Sequence, residues 1–142
     1  MRKNKGLYCL FMKQPLQQGN IHFAIVGCGR IAHRHAEQIA LHGRLVAAAD
    51  IVPEKAEAFG KLWNAAIFYS LDALLQSSVA IDVLVVCTPN GLHAAHSIAA
   101  LNKGMHVLCE KPMAIHSNDC LAMIEAAEKK SGTAFCSKAK SF

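Results

Sequence analysis

A chain of 142 residues is long enough to bury a substantial core and suits one compact domain rather than two. With 53% hydrophobic and 18% charged residues it has an ordinary α/β composition, and no apolar run approaches the roughly 18 to 20 residues of a membrane helix. The formal charge of +5 sits at the ends: residues 14–128 hold seven Lys/Arg against all ten Asp/Glu, which argues against a basic nucleic-acid groove.

Residues 1–20 carry a basic lead and a short apolar patch closed by Lys13, with no cleavage pattern of a signal peptide. They are expected to form a disordered extension ahead of a domain spanning 21–142, with Met12 as an alternative start. The six cysteines show no C-x-x-C pairing and too low a density for a disulfide scaffold, so reduced thiols and a cytoplasmic location are expected.

From residue 21 onward strand and helix signals alternate, the pattern of a parallel sheet covered by helices. Strands are predicted over 22–26, 45–49, 66–69, 82–87, 105–109 and, weakly, 133–137. Helices are predicted over 31–42, 53–62, 71–77, 91–103 and 117–130. Pro53 suits a first helical turn, where its missing N–H costs nothing, and Ser117 suits the start of the last helix.

The first strand runs into Gly27-Cys28-Gly29-Arg30-Ile31-Ala32, a G-x-G-x-x-A spacing that matches the dinucleotide fingerprint of a Rossmann-type doubly wound α/β fold. Gly27 permits the tight turn, Gly29 lets the backbone approach a pyrophosphate, and Ala32 keeps the helix close to the strand. A helix N-terminus then faces the phosphates. Asp50 ends the second strand 23 positions after Gly27, near the expected distance of about 20. A carboxylate there accepts ribose hydroxyls and repels a 2′-phosphate, so NAD is expected in preference to NADP. Alternatively, Asp50 only caps the helix near Pro53.

In open parallel sheets ligands lie beyond the carboxyl ends of the strands. Thr88, Pro89, Asn90 and His93 follow the fourth strand, and Glu110-Lys111-Pro112 follow the fifth, so both stretches converge on one rim. Taken alone, Glu110 and Lys111 also fit a solvated ion pair. His33 and His35 are expected on the surface of the first helix. His93 and His96 lack a third metal ligand, and no metal site is expected. Cys28 is either a thiol activated by the helix end or a small filler. Phe59, Trp63 and Phe68 fit core or sheet-edge packing.

Together "GCGRIA", Asp50, "CTPNGLHAAH" and "EKPMA" resemble the nucleotide-binding half of the glucose-fructose oxidoreductase and inositol dehydrogenase family (Gfo/Idh/MocA), over about residues 21–132. The resemblance implies that Asn90 and Glu110 lie near the nicotinamide, that His93 lines the site, and that Lys111 is the catalytic lysine of the E-K-P motif. It implies hydride transfer from a sugar hydroxyl to NAD, with Lys111 stabilising an alkoxide or sharing its proton. The "SLDALL", "TPNGLH" and "EKPMA" wording is similar to the subgroup that dehydrogenates UDP-N-acetyl-2-amino-2-deoxyglucuronate.

Family members add a second domain that supplies the substrate pocket, a histidine acid/base and a homo-oligomer interface. No counterpart of that second domain is expected within these 142 residues, and the chain is expected to be inactive alone. Residues 134–142 are expected to make an aberrant last strand, because Lys138 and Lys140 interrupt it. One inserted base would convert a family-like "FVVKQNRF" into this tail, so a frameshifted, truncated product is expected. A non-catalytic nucleotide-sensing or dimerising module is the alternative, and an S-adenosylmethionine methyltransferase is a third, opposed by Pro112 and by the alanine in the third place.

Overall fold

The computed structural model describes residues 21–130 and 134–136. The expectations placed on residues 1–20, and on Lys138 and Lys140, lie outside the described residues.

In chain order the elements are β1 (His22–Val26), α1 (Arg30–His42), β2 (Arg44–Ala49), α2 (Pro53–Trp63), β3 (Ala66–Phe68), α3 (Leu71–Gln76), β4 (Val83–Val86), α4 (His93–Asn102), β5 (His106–Cys109), α5 (Ser117–Lys129) and β6 (Ala134–Cys136). Among the described residues the six strands form one sheet in the order β3-β2-β1-β4-β5-β6, parallel throughout. The strand order reverses between β1 and β4, which is the switch point of a doubly wound Rossmann-type sheet.

Successive side chains of a strand point to opposite faces, and the two faces build two cores. Ala24, Val26, Ala47, Ala49, Leu84 and Val86 pack with Leu101 of α4 and Met123 of α5. Ile25, Ala48 and Val85 pack instead with Ala32, Ala36 and Ile39 of α1 and Phe59 of α2. Each large aliphatic side chain fully buried here stabilises the fold by about 1.5–3 kcal/mol.

Local chemistry sets the ends of the elements. Pro53 occupies the first turn of α2, which closes where Asn64 takes up a left-handed conformation at φ 52°. The Ser70 hydroxyl accepts the Ala73 N–H at 3.1 Å and caps α3. One detail departs from expectation. The helix predicted over 91–103 divides into a 3₁₀ turn at Asn90–Leu92 and α4, a frequent way for a helix to begin. Ser117 begins α5 as expected, with His116 in the cap position and no side-chain bond there.

The stretch expected to be an aberrant last strand pairs with β5 in parallel over Ala134–Cys136. Backbone hydrogen bonding is indifferent to side-chain polarity, and three residues suffice to extend the edge of the sheet.

Candidate functional site

A row of backbone hydrogen bonds carries the sheet one residue past each strand and aligns the rim. Asp50 N–H donates to Phe68 O (3.2 Å), Gly27 N–H to Ala49 O (2.8 Å), Cys87 N–H to Val26 O (2.8 Å) and Glu110 N–H to Val86 O (3.0 Å). Positions 27, 50, 87 and 110, scattered in sequence, therefore stand in one line across the sheet.

The two loop glycines have different duties. Gly27 sits at φ +89°, and a Cβ there would lie 2.6 Å from the carbonyl oxygen of Cys87. Gly29 has a φ of −82° and a Cβ would meet nothing within 4 Å, so the loop leaves space above it. Gly29 also begins α1 without any side-chain cap. Arg30 and Ile31 are exposed beside it, whereas Ala32 is fully buried and lets the helix approach the sheet.

Asp50 ties this loop to the end of β2. Its Oδ2 accepts the Cys28 N–H at 2.8 Å and its Oδ1 accepts the Val52 N–H at 2.8 Å. It does not cap α2, whose cap position is Val52 with no side-chain bond. A carboxylate has about four lone-pair sites. Two remain available for the hydroxyls of a ligand. Cys28 is buried, with Sγ 3.5 Å from Ala49 O. Burial, and secondly the charge of Asp50, push its thiol up to about 12, which makes it a filler rather than a nucleophile.

On the β4 side, Pro89 and Asn90 are exposed and Thr88 is half-buried. Thr88 Oγ1 lies 3.1 Å from His96 Nδ1. Burial, then the neighbouring His93, lower the pKa of His96, against an opposing pull from Asp72. His93, expected to line the site, is enclosed instead: it is 1% exposed, with Nδ1 2.7 Å from Pro112 O and Nε2 2.7 Å from Thr88 O. Both ring nitrogens are turned to backbone carbonyls, and the side chain holds two turns together. Among the described residues no group of three or more His, Cys, Asp or Glu is arranged to hold a metal ion.

Glu110 is half-buried beside exposed Lys111 and Pro112, and the Lys111–Pro112 peptide is cis. One carboxylate oxygen, Oε2, accepts the Lys111 N–H at 3.2 Å. The other, Oε1, lies 2.5 Å from His35 Nε2. This corrects the surface placement of His35. Residues 32, 35, 36 and 39 share one helical stripe, so the spacing of His35 from Ala32 already pointed inward. His33 is corrected too: its ring packs 4.8 Å from that of Phe59, and its Nδ1 accepts from Trp63 Nε1 at 3.5 Å.

The profile of a family described as "Oxidoreductase family, NAD-binding Rossmann fold" (GFO_IDH_MocA) matches residues 21–137. The chain belongs to this family. It is an NAD-binding Rossmann domain, as the resemblance implied. Glucose-6-phosphate 3-dehydrogenase of Bacillus subtilis is 38% identical over 109 residues, covering 75% of this chain and 30% of that protein. D-glucoside 3-dehydrogenase of Escherichia coli is 34% identical over 122 residues, covering 83% and 34%. Among solved structures, the WlbA dehydrogenase of Chromobacterium violaceum, in complex with NADH and UDP-GlcNAcA, superposes with a TM-score of 0.82 at 35% identity, over 90% of this chain and 38% of that one. The chain thus spans about a third of the length of these family relatives. No helix among the described residues is long and apolar enough to cross a membrane.

Proposed function

We propose that this chain is the cofactor half of an oxidoreductase acting on a sugar hydroxyl, the sugar being carried on a nucleotide. One observation carries the reading: the line of backbone bonds that brings Gly27 and Asp50 to the same rim as Cys87 and Glu110. The residues fit a dinucleotide. Asp50 keeps two lone-pair sites for the adenosine ribose, the space above Gly29 admits a pyrophosphate, and the uncapped start of α1 offers N–H donors and a partial positive charge. Arg30 and Ile31 flank the phosphates, and Thr88, Pro89 and Asn90 border the nicotinamide end.

Bound NAD supplies the hydride acceptor. Glu110 orients the ribose and, through the Lys111 N–H, the turn that carries the lysine. The Lys111 ammonium, exposed at the rim, lies where it stabilises an alkoxide or takes part in moving the hydroxyl proton. A nucleotide-linked substrate is supported by the WlbA structure, which was solved with UDP-GlcNAcA. A more general sugar preference is supported by relatives acting on glucose 6-phosphate and on glucosides.

Fluorescence titration of the purified chain with NADH tests the proposal. Saturable binding of NADH, with none of S-adenosylmethionine, is the expected result. Absence of NADH binding would remove the proposed roles of Asp50 and the glycine loop. Hydride transfer also needs a positioned sugar and a proton acceptor, so the chain by itself is expected to show no turnover. Measurable NAD reduction with any sugar by the pure chain would overturn that expectation. In a protein that carries the remaining two thirds of the family's length, Lys111→Ala lowers kcat far more than it weakens NAD binding.

A further inference from the structure

We infer that His93 is the positioning residue of Lys111, bracing the turn after β5 against the turn after β4 through its two ring nitrogens. The inference rests on the role proposed above for Lys111, but its geometry stands apart from any cofactor. The ring is 1% exposed and stands between two carbonyl oxygens, those of Pro112 and Thr88, each 2.7 Å from a ring nitrogen. Carbonyl oxygens only accept hydrogen bonds.

A neutral imidazole carries one N–H. Whichever nitrogen carries a proton donates to the carbonyl beside it, and the ring is wedged between the two turns. Buried polar groups are paired as a rule, so a ring enclosed in this way is held in place by its hydrogen bonding.

The brace takes over where the sheet stops. The last rung between these two strand ends is Glu110 N–H to Val86 O. Beyond it, Lys111 is followed by Pro112, whose carbonyl His93 holds, while Thr88 is followed by Pro89 and Asn90. The ring thus spans the turns that carry Lys111 and Asn90, the two stretches assigned above to the nicotinamide end. His96, one turn of α4 further on, holds the Thr88 hydroxyl of the same turn.

Nitrogen-15 NMR of the 142-residue chain, labelled at histidine, tests the brace with no cofactor present. A slowly exchanging ring N–H signal that vanishes in His93→Gln is expected. A His93 ring with no protected N–H would overturn the inference.

Titrations with ADP and NADH then separate the brace from the dinucleotide reading, since ADP probes only the Asp50 and glycine-loop end. His93→Gln is expected to leave ADP affinity within about twofold and to weaken NADH about tenfold. An unchanged ratio of the two affinities, or an equal loss of both, would reject the positioning role. If the unmodified chain bound neither nucleotide, the cofactor reading would fall, and the ring spectrum would still decide whether the brace exists.

Discussion

The two halves of the rim are built by different means. On the β1 and β2 side, the glycine loop is held by backbone amides and one carboxylate: Asp50 takes the N–H groups of Cys28 and Val52, and Gly27 packs directly on the Cys87 carbonyl. On the β4 and β5 side, the turns are held by imidazoles reaching in from helices: His35 of α1 on Glu110, His96 of α4 on Thr88, and His93 of α4 on both turns. The first half is mainly a local construction, the side-chain bonds of Asp50 falling within residues 28–52. The second depends on where two helices lie against the sheet, and its geometry is therefore open to change from a distance.

The largest expected effect tests the local half. Gly27→Ala places a Cβ against the Cys87 carbonyl at a positive φ and should cost about 3 kcal/mol of stability by urea denaturation. The same change at Gly29, where a Cβ meets nothing, should stay within about 1 kcal/mol. Equal losses at the two positions would erase the distinction between a glycine needed for the fold and one needed for a ligand.

Asp50 comes next. Asp50→Ala strands two backbone N–H groups and removes the ribose acceptor, so NADH affinity should fall about tenfold to a hundredfold. Asp50→Ser with Ile51→Arg should reverse the preference from NAD to NADP. Tight NADP binding by the unmodified chain would show that Asp50 does not set it.

The buried thiols span both halves and give a pH test of intermediate size. Cys28 is pushed from 9.0 up to about 12 and Cys109 up to about 11, chiefly by burial, and Cys87 is raised in the same direction. Below 9 a thiol is protonated in both folded and unfolded chains and stability is flat with respect to it. Between 9 and its folded value only the unfolded chain loses the proton, so stability falls as pH rises. Near pH 10 each of these thiols should contribute about 1 kcal/mol of that loss, and Cys28→Ala should shallow the decline in urea midpoints. A flat profile up to pH 11 would mean that the thiols ionise in the folded protein.

The smallest effect sharpens the second half. His35→Leu releases one oxygen of Glu110 without touching the glycine loop, and should weaken NADH about threefold while leaving ADP unchanged. A parallel loss for ADP would place His35 with the phosphate end instead.

The same contrast separates what could be read from the chain from what could not. The six strands, five helices and sheet class followed from apolar runs broken at regular intervals, because burial on both faces of a parallel sheet leaves such runs in any sequence. The positions of Gly27, Gly29 and Asp50 followed from spacing, since a tight turn and a strand end fix them within one β-α-β unit. The E-K-P and T-P-N stretches could be placed on one rim by the rule that strand ends in a parallel sheet face the same way. Which side chains hold those stretches could not. His93 reads as a rim residue from its place after the fourth strand, and only the packing of α4 between two turns encloses it. The spacing of His35 from Ala32 turns it inward, but its partner lies 75 residues away, and only the sheet order, with β4 set between β1 and β5, brings α1 within reach of Glu110. Periodicity and spacing are local quantities, so the sequence by itself determined the elements and the local loop. Contacts between side chains far apart in the chain depend on how the helices settle on the sheet, and those the tertiary structure alone decided.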